Sequence, residues 1–211
     1  MKRSKHAPRD LTAERIRDVA LALIDRTGLD GFSTRKLGEA LGCEAMAIYY
    51  YYPSKEALLD AVVDQMMAGV AAEVGTETAD WVDAMRKVAH AYRNVARLHP
   101  KAFPLLATRR FASESTYAFL DELFALAKKQ RITDRTVARF YRVVSSYCNG
   151  FALNELAQRR EPTTASQRAK FARIAAVSAY LEPEHADDTF SFGLEVLLDA
   201  LAQAASKRKA A

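Results

Sequence analysis

Between Ser33 and Lys55 the chain reads S-T-R-K-L-G-E-A-L-G-C-E-A-M-A-I-Y-Y-Y-Y-P-S-K, and no other stretch restricts the fold so tightly. Ser33-Thr34 is a polar helix start, where a side-chain oxygen can accept from a first-turn N–H. Leu37 and Leu41, four apart, share one face of the helix that follows. Gly42 stops it, because glycine enters the left-handed conformation at little cost. A second short helix runs from about Glu44 to the tyrosines, and Pro53 closes it, since the residue before a proline disfavours helical backbone. Counting Thr34 as the first position, the fifth is Gly38, the ninth Gly42 and the fifteenth Ile48. Helices that cross near the fifth position need a small residue there, the turn needs glycine, and the fifteenth residue must be apolar to reach the core. Leu37, Leu41 and Cys43 are further inward positions. The spacing predicts a helix-turn-helix over residues 33–52.

The flanking segments complete this motif. Thr12 caps a first helix, with Glu14 in its opening turn where the helix dipole favours an acid. Its apolar stripe is Ile16, Val19, Ala20, Leu23 and Ile24, and Gly28 and Gly31 end it. Phe32, just before the Ser33 cap, packs back on that helix, which lies over the motif to make a three-helix core. Ser54 caps a fourth, connecting helix over 54–72, with Leu58, Leu59, Val62, Val63, Met66 and Met67 inward. The predicted organisation is a basic arm over 1–10, a DNA-binding domain over 11–72 and a C-terminal domain over 80–206. Lys2, Arg3, Lys5 and Arg9 give the arm its charge; it is either a solvated disordered tail or an arm that tracks DNA.

Beyond Asp80 the periodicity stays helical. One face holds Trp81, Met85, Val88, Ala89, Tyr92, Val95 and Ala96 before Pro100 breaks the run. A short helical piece around Phe103 follows, then a helix capped by Ser113 or Ser115, and a long one from Thr133 or Asp134 to near Arg160. Glu161-Pro-Thr-Thr is a loop, Ala165 to Leu181 another helix, Pro183-Glu-His-Ala a break, and Asp187 to about Ser206 the last helix. No strand-like alternation of useful length occurs, so the predicted fold class is all-α.

Composition narrows the function. The 211 residues carry a net charge of +5, which suits a polyanionic partner. No apolar run approaches the ~20 residues that span a membrane, and no apolar segment follows the basic N-terminus as a secretory signal requires; a cytoplasmic protein with no membrane partner is expected. The two cysteines, Cys43 and Cys148, and the four histidines show no metal-ligand spacing, and no metal and no cofactor are expected. No catalytic constellation is present, so an enzyme is not expected.

The segment T-R-K-L, L-G-C, I-Y-Y-Y-Y-P-S-K-E-A-L-L resembles the DNA-binding domain of the TetR (tetracycline repressor) family. The resemblance spans about Thr12 to Ala72, and Phe190-Ser-Phe-Gly-Leu-Glu-Val-Leu-Leu-Asp-Ala-Leu201 is similar to the last helix of the tetracycline-repressor type of C-terminal domain. It implies a homodimeric transcriptional regulator, a repressor that binds a palindromic operator in double-stranded DNA and is released by a small-molecule inducer. A DNA-binding protein whose C-terminal domain recruits a protein partner is the alternative.

The second helix of the motif would enter the major groove and turn Glu44, Ala45, Met46 and Ala47 toward base edges. Arg35 could reach a guanine edge or a phosphate. By resemblance, Arg35, Glu44, Ala45, Met46 and Tyr49 fall on base-contacting positions. Met46 and Ala47 offer apolar contact to thymine methyls; Glu44 could accept from a cytosine amine or simply favour the helix start. A helix spreads its four tyrosines around its axis, and Tyr52, four from Ile48, should point inward. Tyr49 and Tyr51 match family positions that donate to phosphates, with Thr34 and Lys55 in the same role.

For the inducer, the central helices supply Phe103, Leu106, Phe111, Tyr117 and Phe124, followed by Phe140, Tyr141, Tyr147 and Phe151. His99, Arg109 and Asn149 are candidate polar anchors of a mainly apolar pocket, although aromatic stripes at helical spacing also build cores. Leu105 stands where the tetracycline-binding type has a histidine that helps hold magnesium, so a metal-chelated tetracycline is not expected. The resemblance also implies a four-helix dimer interface made by the long helix and the last one, with Val144, Phe190, Leu194, Leu197, Leu198 and Leu201 in it.

Overall fold

A computed structural model describes residues 11–75, 80–109, 113–160 and 170–206. The basic arm, the Glu161 loop and Phe111 lie outside the described residues. Every regular element among those described is helical: α1 (Ala13–Thr27), α2 (Thr34–Leu41), α3 (Ala45–Tyr51), α4 (Lys55–Val74), α5 (Trp81–Leu98), α6 (Phe103–Thr108), α7 (Glu114–Lys129), α8 (Asp134–Arg160), α9 (Ala172–Ser178) and α10 (Ala186–Ser206). The all-α class stands. A short 3₁₀ turn at Pro183–His185 fills the expected break before α10, whereas the helix expected to reach Leu181 ends at Ser178 and Ala179–Leu181 is a 3₁₀ turn. The helix expected from Ala165 begins at Ala172, after a turn and bend at Lys170 and Phe171, and 165–169 lie outside the described residues.

Two compact units form, one from the chain through Ala72 with Leu98–Leu120, the other from Glu73–Arg97 with the chain after Asp121. The segment 98–120, expected in the C-terminal domain, therefore groups with the N-terminal helices. Charged and polar side chains show why. His99 Nδ1 lies 2.6 Å from Asp25 Oδ2 of α1, and Lys101 Nζ donates to the Arg26 carbonyl at 2.7 Å. Arg109 Nη1 donates to Asp60 of α4 at 3.0 Å.

In the second unit α10 packs along α8. Tyr147 of α8 stacks on Phe190 and donates to its carbonyl at 2.9 Å. The Tyr147 ring also lies against Gly193 so closely that any Cβ there would collide with the phenol. Arg93, only 4% exposed, meets Glu155 at 2.9 Å and Asp187 at 3.0 Å, with its guanidinium over the Phe151 and Phe190 rings. Arg97 shares both acids. A buried charge survives only when paired, and three helices supply the partners of this cluster, although Arg93 Nη2 is buried with no hydrogen-bond partner among the described residues.

Candidate nucleic-acid interface

The helix-turn-helix is held by short-range contacts that its sequence dictates. Ser33 Oγ accepts from the Lys36 N–H at 3.2 Å, so it is the cap of α2. Gly42 sits at φ 70°, in the left-handed region, and the Cys43 N–H turns back to the Gly38 carbonyl at 2.9 Å. A Cβ on Gly38 would stand 2.7 Å from the Cys43 carbonyl oxygen, which is why the helix crossing tolerates no side chain there. Ile16, Ile24, Leu37, Ile48 and Leu58 are fully buried among the inward positions of α1–α4. The tie between α1 and α4 is polar as well: Arg17 donates to Gln65 at 3.2 Å, and Gln65 donates to Asp18 at 2.9 Å.

With that core below it, α3 turns a specific face outward. Met46 is 74% exposed and Tyr50 87% exposed, four residues apart on one side of the helix. Glu44 is exposed at the start of α3 and makes no capping hydrogen bond there. Ala45 and Ala47 are half-buried. Arg35 is exposed on α2, paired with Glu39 at 2.9 Å one turn on. Exposed ion pairs of this kind contribute little to stability, so the guanidinium can exchange Glu39 for a phosphate or a base. The Thr34 and Tyr49 hydroxyls lie 3.3 Å apart, and the Lys55 ammonium sits 5.6 Å from the Phe32 ring centre.

The tyrosines divide as helix geometry requires, with one difference from expectation. Tyr52 turns inward and donates to the Ala13 carbonyl at 2.9 Å, while burial pushes its phenol above the ordinary value. Tyr51, expected to donate to phosphate, donates to the Leu11 carbonyl at 2.6 Å and so ties the end of α3 to the start of α1. Tyr50 went unassigned from sequence, yet it is the most exposed ring of the run and meets Tyr51 edge-on at 5.4 Å. Its spacing of four from Met46 was the available signal.

His99, Phe103, Leu106, Arg109 and Tyr117 belong to the first unit, whereas Phe124, Phe140, Tyr141, Tyr147 and Phe151 belong to the second. Phe103 and Leu106 are fully buried, and Tyr117 is exposed. His99 and Arg109 are engaged by Asp25 and Asp60. Asn149 accepts from Tyr92 at 2.6 Å, and Phe124 meets Tyr141 edge-on at 5.3 Å. Phe140 is half-buried. A cavity in the second unit is lined by Phe151 and by none of the others.

Of the expected dimer residues, Val144, Phe190, Leu194, Leu198 and Leu201 are buried within the subunit. Leu197 is half-buried. The apolar side chains left outward on α8 and α10 are Val143, Leu153, Phe192 and Val196. Among the described residues no group of three or more His, Cys, Asp or Glu is placed to hold a metal, and no helix is long and apolar enough to cross a membrane.

Residues 16–62 match the family described as bacterial regulatory proteins, tetR family, and residues 75–204 match the tetracyclin repressor-like C-terminal domain. This chain belongs to the TetR family. It is similar to the tetracycline repressor protein class A from transposon 1721 of Escherichia coli, 30% identical over 199 residues, covering 87% of each chain. It is 25% identical over 216 residues to the HTH-type transcriptional repressor DrrR1 of Streptomyces coeruleorubidus, covering 94% of this chain and 80% of that one. A solved structure of a possible TetR family transcriptional regulator from Streptomyces coelicolor A3(2) superposes with a TM-score of 0.76 at 27% identity, covering 92% of this chain and all of that one. As a TetR-family chain with this motif, it is a DNA-binding transcriptional regulator.

Proposed function

We propose that this TetR-family chain is a homodimeric repressor that reads a palindromic operator with α3 and leaves it when a small molecule binds the C-terminal unit. The outward face of α3 carries this reading. Met46 and Tyr50 stand exposed beside half-buried alanines, with Arg35, Thr34, Tyr49 and Lys55 around them and the acid Glu44 exposed at the start of α3. Met46 and Ala47 contact thymine methyls, Arg35 reaches a base edge or phosphate, and the flanking hydroxyls and Lys55 fix register on the backbone. The names of the curated relatives, tetracycline repressors and a transcriptional repressor, support repression.

A second copy would pack through Phe192 and Val196 of α10 with Val143 and Leu153 of α8, a closed twofold contact that sets two α3 helices about 34–36 Å apart. A metal-chelated tetracycline is not the inducer this reading favours, because Leu105 stands where the resemblance places a metal-holding histidine and has no atom that can ligate a metal. Selection of bound fragments from random duplex DNA at several salt concentrations tests the reading. Enrichment of a palindrome with half-sites one turn apart is expected. Binding only at low salt, with no enriched sequence, would contradict it.

A further inference from the structure

Helix α2 carries two cations, Arg35 and Lys36, and they meet different partners. Lys36 turns back to the loop before the helix and donates to the Gly31 carbonyl at 2.8 Å. Arg35 and Glu39 are both exposed one turn apart, and Arg35 Nη1 donates to Glu39 Oε1 at 2.9 Å. Both lie beside α3. Thr34, next to Arg35, has its hydroxyl 3.3 Å from that of Tyr49. Gly38, next to Glu39, comes so close to the turn that a Cβ on it would stand 3.3 Å from the Ala45 nitrogen.

The fold gains little from this pair. Exposed ion pairs at this spacing contribute little to stability. The order also runs against the helix dipole, with the base near the start of α2 and the acid near its end. Its consequence lies in what Arg35 can meet. A guanidinium presents five N–H donors in a fixed fork. Glu39 takes Nη1, and the edge formed by Nε and Nη2 makes no hydrogen bond or ion pair among the described residues. That edge matches the O6 and N7 acceptors of guanine, which take an arginine bidentately. A phosphate is the poorer partner. Its oxygens would approach a guanidinium whose charge is already offset, and would meet the repulsion of the carboxylate beside it. Glu44, close to Gly38 at the turn and exposed, adds a second acid to this end of the motif.

We propose that Glu39 is a positioning residue that commits Arg35 to a guanine edge in the major groove and keeps it off the phosphate backbone. The proposal rests on the reading that this face recognises an operator, and it names which of two destinations Arg35 takes and the acid that decides it. Glu39 itself touches no base in this account; it acts through the guanidinium.

Selection from random duplex DNA and equilibrium binding at several salt concentrations test this with the full-length parent, Arg35→Ala, Glu39→Ala and the double variant. Arg35→Ala should relax a guanine preference of about tenfold at one position of each half-site. Glu39→Ala should relax the same position although Arg35 is present. It should also tighten binding to a scrambled duplex and steepen the salt dependence by about one unit per chain, as Arg35 moves to a phosphate. In the Arg35→Ala background, Glu39→Ala should no longer change the base preference. All four proteins should melt alike, which separates positioning from folding. If Glu39→Ala keeps the guanine preference and tightens operator and scrambled duplex by the same factor, Glu39 is only a repelling charge near the DNA and the proposal is overturned. Arg35→Ala that flattens the salt dependence and leaves every base preference unchanged overturns it as well. Both of those results leave operator reading in place, whereas no enriched sequence with the parent overturns that reading and this proposal with it.

Discussion

In the helix-turn-helix, the groups that decide the geometry are near neighbours in the chain, Ser33 with Lys36 and Gly38 with Cys43. In the unit built on α5, α8 and α10 the deciding pairs span long separations, 62 residues from Arg93 to Glu155 and 109 from Arg86 to Glu195. The two regions also place charge in opposite ways. The first keeps Arg35 and Lys36 outside, where they can meet a polyanion, and lines its core with aliphatic side chains. The second draws Arg93 and Glu155 inside and pairs them with each other there. Outward charge makes a surface that exchanges partners; inward charge fixes how helices assemble, because any rearrangement must leave no ion uncompensated. One region is built to bind and the other to hold a specific arrangement.

The sharpest way to break this contrast is Glu155→Ala. Removing one member of a buried ion cluster strands the arginines, and the expected loss is about 3–5 kcal/mol of folding free energy. Chemical denaturation should show that loss, while the same change on exposed Glu39, the partner of Arg35, should stay within about 0.5 kcal/mol. Similar small losses at both positions would erase the distinction between inward and outward charge.

Gly38→Ala probes the other side. Its Cβ meets backbone at 2.7 Å, which a neighbour cannot relieve by turning a side chain, so a cost of about 1–3 kcal/mol is expected together with weaker operator binding. Melting temperature and operator affinity that both match the parent would mean that the helices of the motif separate freely.

Exposed Tyr50 offers the reverse case. Tyr50→Ala should leave folding unchanged and weaken DNA binding by about 1–3 kcal/mol, whereas Tyr51→Phe, which removes the bond to the Leu11 carbonyl, should cost about 1 kcal/mol of stability. Paired melts and DNA titrations separate the two rings; the opposite assignment of losses would place Tyr51 on the DNA and Tyr50 in the fold.

The smallest expected effect is on pH. Hydrogen bonds from Arg97 and Arg86 hold Asp187 and Glu195 below their ordinary values of 3.8 and 4.5. Both values are lowered on folding, so the stability these acids contribute is complete above their ordinary values and fades as pH drops through the lowered ones. Melting curves taken down to about pH 3 should therefore decline less steeply for the double variant Asp187→Asn, Glu195→Gln than for the parent, which starts higher. Parallel declines would show that other carboxylates govern the acid limb.

The motif was legible because its constraints are local. A cap, a left-handed glycine and a crossing glycine each declare themselves by residue type and spacing, and Thr12, Ser33, Ser54 and Gly42 all act where the sequence puts them. The apolar stripe of α10 was equally visible, yet periodicity says that a face is buried and not what buries it. Phe190, Leu194, Leu198 and Leu201 turn out to be covered within the subunit, and the outward Phe192 and Val196 lie on the neighbouring stripe. Arg93 shows the same limit. It stands four residues from Ala89 on the inner face of α5, a cation among apolar positions, but its acids come from α8 and from the start of α10. The tyrosine run was resolved only in part, because a hydroxyl finds its partner through tertiary structure: the Leu11 carbonyl that takes Tyr51 is 40 residues away.

The most direct measurement is the affinity of Met46→Ala for its selected operator and for a scrambled duplex of equal length, at matched salt. If the outward face of α3 reads sequence, the operator should lose about tenfold or more while the scrambled duplex stays unchanged. Equal losses on both duplexes would show that Met46 supports binding without reading bases, and the face of α3 would not be the reader.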